Sequence, residues 1–203
     1  MYLFFLISGI VFIPQAYTLI CNECSTFGST CESTGSQCSE ATRCATLRML
    51  TYSGNTEEFD HMLGSCSKAE HCYEGSFNTG VKRNFFTTKC CDTDKCNREQ
   101  PPLPNIKSNP NGKKCYRCDG VGECTGTVNC DGDQTYCATG QDGGETVKGC
   151  ATKSMCFNPP PLLPAKLKTL KCCEGNYCNG SSGTTASLLL LTTMLLSLLL
   201  LSN

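Results

Sequence analysis

Three residue patterns in this chain have types and spacings that chemistry uses. The first is CxxC, at Cys21–Cys24 and again at Cys115–Cys118, the spacing of half a zinc site or of a redox-active dithiol. The second is histidine. His61 and His71 are the only two, and neither has an acid-base partner or metal-ligand spacing beside it, so both read as ordinary surface residues. The third is Asp131-Gly132-Asp133. So short a run supplies too few oxygens for a calcium shell and reads as a turn.

Cysteine usage decides among these. There are 20 cysteines in 203 residues, close to the density of a disulfide scaffold, and thiols in such numbers persist as disulfides only in an oxidising compartment. Both CxxC pairs are therefore structural. No catalytic residue, metal or cofactor is expected, and the chain does not read as an enzyme. A net charge of −1 without tryptophan argues against a nucleic-acid partner.

The cysteines fall into two blocks that repeat. CCDTDKCN, Cys90 to Asn97, returns as CCEGNYCN, Cys172 to Asn179. Adjacent half-cystines cannot easily pair with each other, so each pair must staple two different segments to one point. The second cysteine can close the short loop to Cys96 or Cys178, and the first must reach back to an earlier segment. Both blocks open with CxxC and keep five residues between their sixth and seventh cysteines, SKAEH and ATKSM. Variation is concentrated in the intervals between, as in one unit used twice with its loops varied. The first block carries a net charge of −3, the second −1, and the stretch from Arg98 to Lys114 carries +3.

The elements that must hold these cysteines read as β-hairpins. ATLRMLTY, SGNTEE and FDHMLGS form strand, turn and strand, and VKRNFFTTK is a further strand. QDGG in the second block offers an Asp-Gly turn. No long segment has helical period. Blocks this small bury little apolar surface and need staples.

The ten-cysteine spacing with its terminal CCxxxxCN resembles the lymphocyte antigen 6/urokinase receptor family, the LU or three-finger domain. Cys130 to Cys137, CDGDQTYC, resembles its multi-domain members. The likeness covers both blocks and implies a small, all-β, disulfide-rich fold of two tandem three-finger domains. Sequence alone cannot select a connectivity. The resemblance implies Cys21–Cys44, Cys24–Cys31, Cys38–Cys66, Cys72–Cys90 and Cys91–Cys96 in the first domain. In the second it implies Cys115–Cys137, Cys118–Cys124, Cys130–Cys150, Cys156–Cys172 and Cys173–Cys178. It also implies that the terminal Asn97 and Asn179 bond backbone inside each knot.

Outside the repeats, Met1 to Ile13 is an apolar run followed by Pro14. It reads as a secretory leader, without the usual basic start, cleaved after Thr18 or, second, after Ala16. Residues 1–18 are thus a signal segment, 19–97 the first domain, 98–114 a proline-bearing linker and 115–179 the second domain. GSSGTTAS and then LLLLTTMLLSLLLL fill residues 180–203 up to the final Ser-Asn. Small residues, a polar spacer and an apolar tail too short to span a bilayer fit a GPI-attachment signal, with lipid on Ser181 or Gly180. Asn179-Gly180-Ser181 is the one ordinary glycosylation sequon.

What remains is surface. The first-block hairpin offers Tyr52 and Phe59 as ligand contacts. FNPPPLLPAKLKTLK, Phe157 to Lys171, offers Leu162, Leu163 and Lys166, stiffened by proline; the same leucines could instead pack against the first domain or their own finger. The resemblance implies a receptor, co-receptor or adhesion modulator, GPI-anchored outside the plasma membrane, that binds an extracellular protein without catalysis. Its alternatives are a phospholipase-inhibitor-like protein and a complement-inhibitory or gamete- or cell-adhesion protein.

Overall fold

Short runs rich in β-branched and aromatic residues, alternating with polar ones, favour strands, and cysteines at the strand ends tie them together. The computed structural model describes residues 18–39, 42–103, 106, 109–118, 124–142, 144–159, 161, 163, 167 and 169–180. The expected leader, apart from Thr18, and the chain from Ser181 onward lie outside these residues.

The strands are β1 (Ile20–Cys21), β2 (Cys24–Thr26), β3 (Ser36–Gln37), β4 (Arg43–Ser53), β5 (Thr56–Ser67), β6 (Glu74–Asn78) and β7 (Lys82–Cys91) in the first domain. The second has β8 (Pro110–Arg117), β9 (Gly126–Asp131), β10 (Tyr136–Asp142), β11 (Glu145–Ala151) and β12 (Lys171–Cys173), with one short helix, α1 (Lys153–Phe157). β1 pairs with β3 and β8 with β9, each as a separate two-stranded sheet.

The repeat read from the cysteines is a repeat of register. In the first domain β4 lies between β7 and β5, with Cys44 opposite Cys66 and Cys91. In the second β10 lies between β12 and β11, with Cys137 opposite Cys150 and Cys173.

The hairpin tips are tighter than the sequence suggests. Ser53 pairs with Thr56, so the chain reverses over Gly54-Asn55, with Gly54 at φ +58°. Glu57 and Glu58, expected in the turn, continue the strand beyond an irregularity at Thr51/Tyr52. In the second domain Asp142 pairs with Glu145. The reversal therefore falls between Asp142 and Glu145, with Gly144 at φ +91°, and Asp142 ends the strand. Two-residue turns whose twist matches the flanking strands need a residue at positive φ, which glycine adopts at little cost.

The two domains share one sheet. β11 pairs with β6 of the first domain, Cys150 opposite Asn78 and Ala151 opposite Phe77. An eight-stranded sheet results, in the order β12-β10-β11-β6-β7-β4-β5-β2. A single apolar cluster spans this seam: Leu47, Met49, Phe77 and Phe86 of the first domain with Ala138, Ala151, Met155, Leu163 and Leu167 of the second. Each knot adds a small cluster made chiefly of cystine sulfur.

The stretch expected as a linker is docked at its start, from Arg98 to Pro101. Cys31 N–H donates to the Arg98 carbonyl at 2.7 Å, and Thr30 bridges Glu99. Arg48 holds both Asp60 carboxylate oxygens through Nε and Nη2, at 2.9 and 2.6 Å, and its Nη1 donates to the Pro101 carbonyl at 3.4 Å. Pro101 is buried. From Pro110 the chain is already strand β8.

Candidate functional site

All 20 cysteines are paired, so neither CxxC presents a thiol. The first domain holds Cys21–Cys44, Cys24–Cys31, Cys38–Cys66, Cys72–Cys90 and Cys91–Cys96. The second holds Cys115–Cys137, Cys118–Cys124, Cys130–Cys150, Cys156–Cys172 and Cys173–Cys178. Cys21, Cys38 and Cys66 crowd together, as do Cys115, Cys130 and Cys150. Their sulfurs are all in disulfides and therefore offer no thiolate ligand.

Both terminal asparagines sit inside these knots and do the same work. Asn22 N–H donates to Asn97 Oδ1 at 2.9 Å, and Asn97 Nδ2 donates to the carbonyls of Asn22 and Ala45 at 2.9 and 3.0 Å. Tyr116 N–H donates to Asn179 Oδ1 at 2.9 Å, and Asn179 Nδ2 donates to Tyr116 and Ala138 at 2.9 and 3.0 Å. Lys95 and Tyr177, at matching positions two residues earlier, both adopt positive φ, +53° and +58°. That backbone is uncommon for residues other than glycine, and its recurrence shows that the knot imposes it.

The two finger residues singled out in the first domain lie in different settings. Tyr52 stacks edge-on with Phe85, lies 5.8 Å from the Arg83 guanidinium and donates to Glu57 at 3.3 Å. Burial first, then the Glu57 carboxylate, raises its hydroxyl pKa. Phe59 belongs to a cluster with Phe27 and His61, ring centroids 4.5–5.4 Å apart. Phe27, which is 74% exposed, forms its outer face. His61 is not an isolated surface residue: Nε2 is 2.9 Å from Ser25 Oγ.

Leu163 requires a correction. It is 2% exposed and packs in the cluster that spans the seam, so it is no contact for a partner. The cluster it joins includes Phe77 of β6 and Phe86 of β7, apolar surface from across the domain boundary. Leu162 and Lys166, expected beside it, lie outside the described residues.

The structure also brings together residues that the sequence did not mark. A groove of about 570 Å3 lies where the domains meet, within the size range of ligand sites. Its lining includes Tyr73, Ser76 and Phe85 from the first domain and Thr152, Ser154 and Phe157 from the second. Ser76 anchors the junction. Its N–H donates to Thr152 Oγ1 at 3.1 Å, its carbonyl accepts from Thr152 N–H at 3.1 Å, and its hydroxyl accepts from Gln134 Nε2 at 2.9 Å. Ser154 Oγ donates to the Glu74 carbonyl at 3.0 Å and Asn158 Nδ2 to the Glu70 carbonyl at 2.7 Å. These bonds fix α1 against the segment leading into β6.

Charge along this groove is uneven. Glu70 and Glu74 stand on the first-domain side, Asp131 and Asp133 on the second, and Lys153 is the one cation among the described lining residues. Asp131 and Gln134 do form the turn read from the sequence, Gln134 N–H donating to the Asp131 carbonyl at 3.0 Å. The turn also delivers both carboxylates to the groove. Phe157, 65% exposed, packs edge-on against Tyr136. The Tyr73 hydroxyl is enclosed and has no hydrogen-bond partner among the described residues, and burial pushes its pKa well above the usual tyrosine value.

Comparison with known proteins places this geometry. Residues 17–99 match the u-PAR/Ly-6 domain, and residues 114–179 match the snake toxin and toxin-like protein family. The chain joins a u-PAR/Ly-6 domain to a snake toxin-like, three-finger domain. It is 29% identical to the urokinase plasminogen activator surface receptor of Mus musculus over 190 residues, 84% of this chain and 57% of that one. With the same receptor of Bos taurus identity is 34%, over 50% of this chain and 35% of the receptor. The phospholipase A2 inhibitor NAI of Notechis ater is 29% identical over 66% of this chain and 70% of its own. The chain thus spans about half the length of the receptors it matches. The crystal structure of mouse TEX101 is also similar, at 16% identity, with a TM-score of 0.32 and coverage of 78% of this chain and 99% of that one. Among the described residues no helix is long and apolar enough to cross a membrane.

Proposed function

We propose that this LU protein is a GPI-anchored binding protein of the outer cell surface, acting as a receptor, co-receptor or adhesion modulator without catalysis. In this reading residues 1–18 are removed as a leader, 19–97 and 115–179 are the binding domains joined by 98–114, and within the 180–203 signal the segment after Ser181 or Gly180 is exchanged for lipid on that residue. The observation that carries it is the shared sheet. β11 on β6 joins two disulfide-stapled domains into one plate that holds the Tyr52 finger, the Phe27–Phe59 cluster and the groove in fixed relation. Fixed relation between contact surfaces lowers the ordering cost of engaging a protein ligand. Similarity to a surface receptor supports the role.

Two measurements test it. A GPI-specific phospholipase applied to expressing cells releases the protein into the medium; retention would refute the anchor. Proximity labelling from the anchored chain then recovers an extracellular partner, and that labelling falls in Tyr52→Ser and Phe59→Ser variants. The second reading is a phospholipase-inhibitor-like protein. It is favoured by the larger share, 70%, that the match takes of the Notechis ater inhibitor. A chain found mainly in solution, blocking a phospholipase A2, would select it.

A further inference from the structure

We infer that the groove between the domains is a docking site for an extended, cationic segment of a protein partner, held by carboxylates from both domains. This rests on the reading of the chain as a binding protein and names the chemistry of its partner.

The argument starts from the walls. The groove has apolar surface in Phe85 and Phe157, with Tyr73 beside them, and a hydrogen-bonded junction, Ser76 with Thr152 and Gln134, that keeps its two sides from sliding. A groove held open in the free protein needs little reorganisation on binding. Its rim is exposed to solvent at Glu70, Glu74, Asp133, Lys153 and Phe157. The occupant therefore enters from outside and lies along the seam.

Charge then selects the occupant. Four carboxylates against one ammonium among the described lining residues leave a negative potential over an apolar floor. Such a cleft raises the local concentration of cations and repels anionic segments. Among the described residues Glu70 has long contacts to Lys68 and His71, at 3.8 and 3.9 Å, and the Lys68 contact is exposed, so solvent weakens it. An arginine or lysine laid across the seam meets Glu70 on one side and Asp131 on the other, while its alkyl stem and apolar neighbours cover Phe85 and Phe157. Acidic and purely apolar segments gain only one of the two contributions.

The test uses the full secreted chain and a phage-displayed library of random dodecapeptides. The expected result is enrichment of peptides with net positive charge and at least one aromatic or aliphatic residue. Their affinity should fall about tenfold or more in the double variant Glu70→Lys/Asp131→Lys, the scale of two lost charge contacts. The milder Glu70→Gln/Asp131→Asn variant, checked for native disulfides by unreduced mass, should lie between, which guards against misfolding of the reversal variant. Glu58→Lys, on the finger, should bind as the parent does. Failure to select any peptide, selection without cationic enrichment, or equal binding by the groove variants would each overturn the proposal. The binding role itself answers to different residues. If cell-surface labelling is lost with Tyr52→Ser and Phe59→Ser but no groove variant matters, the protein remains a binder and the groove is not where it binds.

Discussion

At the scale of single residues, hydrogen-bond satisfaction separates two buried polar groups. Asn97 and Asn179, 3% and 4% exposed, each close three backbone bonds, so truncation strands three backbone groups in a dry knot. Asn97→Ala is expected to cost about 3 kcal/mol, since each buried group left without a partner costs about 1–3 kcal/mol. Chemical denaturation of the disulfide-intact protein measures this. Asn97→Asp keeps the acceptor but loses both donated bonds, and should also destabilise. By the same geometry Asn179 has no free amide hydrogen to give up to a glycan, so peptide-N-glycosidase should leave the mass of the mature protein unchanged. Tyr73 is the opposite case, with an enclosed hydroxyl that lacks a partner among the described residues. Tyr73→Phe should therefore raise the melting temperature by about 3 °C, corresponding to about 1 kcal/mol. Its pH signature has a definite sign. Burial raises the folded pKa above the unfolded value near 10, so the neutral form is the one that folding favours. The contribution is complete below pH 10 and is lost as pH rises beyond it through the folded value. Stability of the parent should fall more steeply above pH 10 than that of Tyr73→Phe.

At the scale of elements, what was legible in the sequence depended on whether a signal was local. Adjacent cysteines implied that each pair ties two segments, and Cys90 does go to Cys72 while Cys91 goes to Cys96. Alternation over ATLRMLTY and VKRNFFTTK marked β4 and β7, because period two survives whichever strands flank them. The turn at Gly54-Asn55 was placed too broadly: nothing in SGNTEE says that Glu57 and Glu58 extend the ladder instead of leaving it. The strand pairing that makes the seam was not legible, although packing of the leucines against the first domain was one of the readings left open. Phe77 and Ala151 are opposite each other although far apart in sequence, and Leu163 reads the same whether it meets a partner or the neighbouring domain. Gly149 shows how close that seam is. A Cβ there would lie 2.1 Å from the Asn78 carbonyl oxygen and 3.0 Å from the Thr79 Cα. Both obstacles are backbone, so neither can swing aside. Gly149→Ala should part β11 from β6 while leaving the β10–β11 hairpin intact. Hydrogen exchange should then lose protection at the two seam pairs and at Ser76, and retain it at Cys137 and Thr139. Unchanged protection at Ser76 would mean that the junction accommodates the methyl group elsewhere.

At the scale of the whole molecule, the shared cluster determines how the two domains lose structure. Two LU domains joined by a free linker would melt independently, each on its own small core and its own five disulfides. Here Leu47, Met49, Phe77 and Phe86 belong to one buried cluster with residues of the second domain, and the stretch after Asn97 is bound back to the first domain through Arg48 and Pro101. Unfolding either domain therefore exposes apolar surface of the other, and the two should melt together in a single calorimetric transition under non-reducing conditions. Leu163→Ala probes that coupling directly, because the side chain belongs to the second domain and is buried among residues of both. A leucine so enclosed is expected to cost about 2–5 kcal/mol. In a coupled molecule that loss lowers the one transition for both domains together. Resolution of two transitions in the parent, or a Leu163→Ala variant in which the second domain melts early while signals from Tyr52 and Phe85 keep the parent midpoint, would show that the seam aligns the domains without joining their stabilities. The groove would then be a contact that opens without unfolding either domain, and its carboxylates would face each other only part of the time.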